Sequence, residues 1–112
     1  MRIAIPVANG VLCMHFGHCE KFFLIDVDPE TKKILKKEEV IPPPHQPGLL
    51  PPWLAERSVT VIIAGGMGQR AQALFAEQNI SVVVGAAAAP PENLVHEYLS
   101  GTLKTGENTC DH

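Results

Sequence analysis

Basic charge is scarce in this chain. Nine lysines and arginines face twelve acidic residues, the net charge is −3, and outside Lys32, Lys33, Lys36 and Lys37 the cations are scattered. A nucleic-acid partner needs a basic stripe, so that class is excluded. Long apolar runs are missing too. The longest are strand-sized and Met1-Arg2-Ile3-Ala4 lacks the apolar region of a secretory signal, so no membrane association is expected and the cytoplasm is the expected location. Cysteine is sparse and odd in number, with three residues. That argues against a disulfide framework and for reduced thiols able to bind metal. A catalytic constellation is also lacking: no Ser/His/Asp set can be argued, and Asp26 and Asp28 share a strand with no identifiable partner. The expectation is a protein that is not an enzyme.

The 112 residues fit one domain, 1–112, closing in a polar tail over residues 102–112. A chain this long buries roughly 65% of the surface it exposes unfolded, enough to fold without disulfides. Arg2 to Ala8 is apolar at nearly every position, as in a strand covered on both faces. Lys21 to Asp28 reads as a second strand and Ile34 to Ile41 as a more polar third at a sheet edge, where the four lysines discourage further pairing. A stiff connector follows, Pro42 to Gly48, and then a short helix over Leu49 to Arg57 with Pro51-Pro52 in its first turn. Trp53 on that helix reads as a core anchor. Val59 to Ala64 is the strongest buried-strand pattern, leading through Gly65-Gly66-Met67-Gly68 into a helix from Gln69 to Gln78. Ile80 to Gly85 is a further strand. Pro90-Pro91-Glu92 opens the last helix, with Leu94, Val95, Tyr98 and Leu99 on one face and Gly101 as its stop.

Short connections make the first three strands antiparallel neighbours, and right-handed crossovers place the fourth and fifth beside the first. The expected fold is α/β: a three-layer α/β/α sandwich around a five-stranded mixed sheet of order 3-2-1-4-5, strand 2 antiparallel. Ligands of open α/β sheets sit beyond the carboxyl ends of strands where the connections reverse. Here that point lies between strands one and four, and its loops are Asn9 to Glu20 and Gly65 to Gly68.

The first loop holds Cys13, His15, His18 and Cys19, and the chain ends in Cys110-Asp111-His112. In extended backbone, residues two apart point to one side, so Cys13 with His15 and Cys110 with His112 would form a Cys2His2 zinc set. Cys13, Cys19 and Cys110 would instead give three thiolates to a softer metal or a cluster. The opposing reading makes Cys13 and Cys19 small buried hydrophobes, with Phe16 as a core plug. Gly66-x-Gly68-x-x-Ala71 matches a dinucleotide fingerprint formally, yet no acidic residue ends the next strand to hold a ribose. Close helix packing explains the glycines without a ligand. The helix N-terminus still offers Gly65, Gly66, Met67 and Gly68 amides to an anion such as a sulfide-rich cluster. His45 reads as a solvated loop residue and His96 as lying on the exposed side of the last helix.

Four stretches resemble the dinitrogenase iron-molybdenum cofactor biosynthesis family: Arg2-Ile-Ala-Ile-Pro-Val7, His15-Phe-Gly-His-Cys-Glu-Lys-Phe22, Ile62-Ile-Ala-Gly-Gly-Met-Gly68, and the ending Gly106 to His112. The likeness covers almost the whole chain. It implies a ribonuclease-H-like fold and a nitrogenase accessory-factor-like role: binding or carrying iron-molybdenum cofactor or its precursors, with the metallocluster and cluster-assembly proteins as partners. A related orange protein carries a molybdenum-copper sulfide cluster. Carried across, the resemblance makes His15 and Cys19 the likeliest cluster contacts. Cys13, Cys110 and His112 look like a subgroup feature. The fold's nuclease members need a carboxylate on the first strand, which this chain does not have.

Overall fold

The computed structural model describes residues 1–14, 19–43, 48–103 and 105. Its elements are β1 (Arg2–Ala8), β2 (Val11–Leu12), β3 (Lys21–Asp28), β4 (Lys33–Val40), α1 (Leu50–Ala55), β5 (Val61–Ile63), α2 (Gln69–Glu77), β6 (Ser81–Val83) and α3 (Pro91–Ser100). The sheet path is β4-β3-β1-β5-β6, the order expected for five strands. The expectation of five strands alone is corrected: β2 pairs with β1 off that path, making six. Asn9 (φ 56°) and Gly10 (φ 81°) between β1 and β2 both adopt positive φ, the conformation that closes a two-residue hairpin. β3 is antiparallel to both β1 and β4, while β5 runs parallel to β1 and to β6.

Alternation along the strands divides the core into two layers. Ile3, Ile5 and Val7 of β1, Phe23, Ile25 and Val27 of β3 and Val61 and Ile63 of β5 pack against Leu94 and Val95 of α3. Ala4, Phe22, Leu24 and Ile62 face the other way, against Leu50 and Leu54 of α1 and Phe75 of α2. One helix therefore covers one sheet face and two cover the other, which is why β1 reads as a run apolar on both sides.

β4 is exposed along most of its length, as a sheet-edge strand should be. A shift in register between Asp26 and Val27 marks an irregularity in its pairing with β3. Lys37 reaches Glu92 on α3 at 2.9 Å, and Lys21 pairs with Glu39. Both lysines also stand over the Phe23 ring, each 5.5 Å from its centroid. α3 ends at Gly101 (φ 73°), a left-handed cap that lets the Thr102 amide donate back to Glu97 O. Among the described residues no helix is long and apolar enough to cross a membrane.

Candidate functional site

β1, β4, β5 and β6 share one direction, so the segments leaving them gather at one end of the sheet. β3 occupies one edge of β1 as far as Val7, and β2 pairs with that same Val7 and with Ala8. β2 must therefore lie on the other edge, beyond the point where β5 ends. The hairpin continues past β2, since the Cys13 amide donates to Pro6 O at 2.8 Å. On the β3 side the Glu20 amide donates to Val7 O at 3.0 Å, and the Glu20 carboxylate accepts from the Asn9 amide at 2.9 Å. Cys13 and Cys19 are thus fastened to opposite edges of β1.

Both thiols serve the same side of the sheet. Leu12 is buried in the α3 layer, so alternation turns Cys13 toward the α1/α2 layer, and Cys19 packs directly on that layer. Each is half-buried. Burial pushes the Cys19 thiol up to about 11, and a charge on Cys13 would push the same way.

The segment after β5 forms the floor. Its backbone is zipped to the segment after β6: the Ala64 amide donates to Val83 O, the Gly85 amide to Gly65 O and the Ala86 amide to Ala64 O. Met14 lies on Gly65, where a Cβ would stand 2.9 Å from the Met14 sulfur. The Leu12 amide donates to Ala89 O at 3.0 Å, so the segments following β1, β5 and β6 form one surface. Met67 is 1% exposed and belongs to the core, which leaves only its backbone for a ligand. Its carbonyl accepts from Gln72 Nε2 at 2.9 Å. Gly68 caps α2 in extended backbone, with no side-chain cap and no acidic residue in the first turn, so the helix's positive end is not neutralised by its own side chains.

The residues expected at the site divide into two groups. Cys13, Cys19 and Gly65 to Gly68 all lie at this end of the sheet, with Met14, next to Cys13, packed on Gly65. His15, Cys110 and His112 lie outside the described residues. Among the described residues no three His, Cys, Asp or Glu side chains come together as a metal set, so nothing there supports the Cys2His2 zinc reading. His96 is exposed, as expected, while His45 lies outside the described residues. Two participants went unrecognised in the sequence. The packing of Met14 leaves no local pattern, but Asn9-Gly10 between β-branched stretches signals the hairpin that delivers it.

Known proteins share this chain's family and fold. The uncharacterized protein MJ0580 of Methanocaldococcus jannaschii is 27% identical over 113 residues, covering 96% of this chain and 92% of that one. The crystal structure of PH0822 superposes with a TM-score of 0.86 at 27% identity, over 94% of each chain. The apo form of the orange protein from Desulfovibrio gigas has the same fold, with a TM-score of 0.72 at 22% identity over 96% of this chain and 93% of that one. The family model described as dinitrogenase iron-molybdenum cofactor matches residues 1–101, and with that match across both loops of the site the chain belongs to this family.

Proposed function

We propose that this protein is a non-enzymatic carrier or scaffold for a metal-sulfur cluster of the iron-molybdenum kind, held at the carboxyl end of β1. One observation carries the reading. Two half-buried thiols, Cys13 and Cys19, reach the same side of the sheet from opposite edges of β1, beside the open N-terminus of α2, in a family described by its iron-molybdenum cofactor. Thiolates suit a soft metal and backbone amides suit the negative charge of a sulfide cluster.

In this reading His15 and Cys19 are the primary ligands. Cys13, Cys110 and His112 are secondary ligands or a lid, and the Gly65, Gly66, Met67 and Gly68 amides face the cargo. A carrier must release what it holds, so few protein ligands and an open site fit the task. The protein works in the cytoplasm and passes its cargo to cluster-assembly proteins. The five-strand path β4-β3-β1-β5-β6 is the ribonuclease-H-like motif.

The test is anaerobic reconstitution with iron, sulfide and molybdate, followed by metal analysis and a visible absorption spectrum. Wild-type protein is expected to retain metal and colour, and His15→Ala and Cys19→Ala to lose both. No retention by wild type, or equal retention by the variants, would sink the proposal.

A further inference from the structure

Four asparagines occur in the chain, and three of them, Asn9, Asn79 and Asn93, are described and exposed. The amide that follows each one sets them apart. The Ile80 amide after Asn79 donates to Phe75 O at 3.0 Å, and the Leu94 amide after Asn93 donates to Pro90 O at 3.3 Å. Ile80 and Leu94 also carry bulky, buried side chains. Gly10 after Asn9 has no side chain, and its amide has no acceptor among the described residues. The space around it is open, with nothing within 4 Å of where a Cβ would stand. The Asn9 carboxamide is also without a hydrogen bond among the described residues; only the main-chain N–H of Asn9 is engaged, by the Glu20 carboxylate at 2.9 Å. An unbound amide nitrogen thus follows an unbound carboxamide at the tip of the hairpin.

We propose that the Asn9-Gly10 turn is a site of self-modification, where asparagine converts to aspartate or isoaspartate and the isoaspartate unseats Cys13. The Gly10 nitrogen gives up its proton and attacks Asn9 Cγ. A bond forms between them, the bond from Cγ to the side-chain nitrogen breaks, and that nitrogen leaves as ammonia with the proton. Water then opens the cyclic imide at either carbonyl, so nothing is oxidised or reduced. Glycine turns most freely through the conformations that ring closure needs. β2 is only two residues long, so little of the ladder has to loosen for it.

The product matters because this hairpin is tight. Isoaspartate carries the main chain through Cβ and Cγ, which adds one carbon to a turn of two residues. The pairs Ala8 with Val11 and Val7 with Leu12 depend on that length. Beyond them, the Leu12 amide bonds to Ala89 O and the Cys13 amide to Pro6 O. Either product also puts a carboxylate on residue 9, the residue that the Glu20 carboxylate already holds, and like charges repel. Glu20 adjoins Cys19. Modification at the tip therefore loosens the seats of both thiols without reacting at either.

Peptide mapping of the full chain held in warm, mildly alkaline buffer with a thiol reductant tests this, with amide NMR alongside. Asn9 is expected to convert at least about fivefold faster than Asn79 or Asn93, the factor that first breaking one hydrogen bond imposes on those two. The Leu12 and Cys13 amide resonances should leave their original positions in proportion to the isoaspartate formed. Asn9→Gly keeps a residue suited to positive φ and removes the carboxamide, so its Leu12 and Cys13 amides should stay in place through the same treatment. Conversion at Asn9 no faster than at Asn79 and Asn93 would overturn the modification site. Unmoved Leu12 and Cys13 amides in converted protein, or the same movement in Asn9→Gly, would overturn its link to Cys13.

Discussion

The side chain of Met14 rests on the backbone of Gly65, joining the hairpin beyond β1 to the floor beyond β5. A Cβ at Gly65 would stand 2.9 Å from Met14 Sδ and 3.1 Å from both Met14 Cα and Cε. The sulfur and methyl can swing aside, but the main chain of Met14 cannot. Gly65→Ala therefore forces the two segments apart, at an expected cost of about 1–3 kcal/mol. Thermal melting should show a fall of several degrees. Adding Met14→Ala should recover only part of the loss, because the new methyl still meets the main chain at residue 14. Full recovery would mean that the side chain alone sets the fit.

Cys19 should be a slow nucleophile at neutral pH. With its thiol held near 11 by burial first and by Cys13 second, about one part in ten thousand is thiolate at pH 7. Site-resolved mass spectrometry of iodoacetamide labelling should show the Cys19 rate climbing about tenfold per pH unit until that value is reached. The same shift sets a stability window. The folded thiol holds its proton above the ordinary value of 9.0, so stability is unaffected below pH 9 and falls as pH rises from there toward 11. Cys13→Ser should ease the labelling of Cys19 only slightly, since burial is the larger cause. Labelling at the unfolded rate at pH 7 would contradict the burial described.

At the other end of β1, Arg2 clasps Asp26 with Nε to Oδ1 at 2.7 Å and Nη2 to Oδ2 at 3.2 Å, while its Nη1 donates to Arg57 O at 2.8 Å. The guanidinium holds the Asp26 carboxyl below its ordinary 3.8. At this carboxyl the folded chain binds fewer protons than the unfolded chain does. The stabilisation is complete above about pH 4 and fades as the solution is acidified through the folded value. Asp26→Asn should cost about 1–2 kcal/mol near neutrality in urea titrations and flatten the acid limb of stability against pH. An unchanged acid limb would assign it to other carboxylates.

Trp53, the one tryptophan, reports on α1. The Arg57 guanidinium stacks 3.9 Å from its ring centroid and donates through Nη1 to Trp53 O at 3.0 Å, and Phe22 lies on the ring at 6.1 Å between centroids. Arg57→Ala should shift the fluorescence emission and destabilise by about 0.5–1.5 kcal/mol. Arg57→Lys should restore only part of this, because an ammonium lacks the flat face that stacks. Equal behaviour of Ala and Lys would mean that an ammonium replaces neither the stack nor the bond to Trp53 O.

Much of this architecture is legible in the sequence because its signals are local. Arg2–Ala8 and Lys21–Asp28 have the predicted bounds since each is an apolar run cut off by turn residues. Pro51-Pro52 and Gly101 mark helix ends through fixed or left-handed backbone. Val59 to Ala64 shortens to Val61–Ile63 as the regular strand, although the amides flanking it still bond to its neighbours, Thr60 to Arg2 O and Ala64 to Val83 O. β2 escapes a sequence reading for a different reason. With two residues it has no periodicity of its own, and only Asn9-Gly10 announces it. The convergence of Cys13, Cys19 and Gly65 follows from strand order, whereas the seating of Met14 joins segments about fifty residues apart, which no short pattern encodes.

The hairpin closed by Asn9 and Gly10 also sets a phase. Counting from the turn, Val11 and Leu12 complete the paired steps, and Cys13 falls on the α1/α2 side by parity alone. One residue inserted between Gly10 and Cys13 would leave the composition almost untouched yet send the thiol toward α3, across the sheet from Cys19. Two inserted residues would restore its side but lift it away from Pro6. The site's chemistry thus depends on an integer, the length of a tight hairpin, as much as on which side chains it holds.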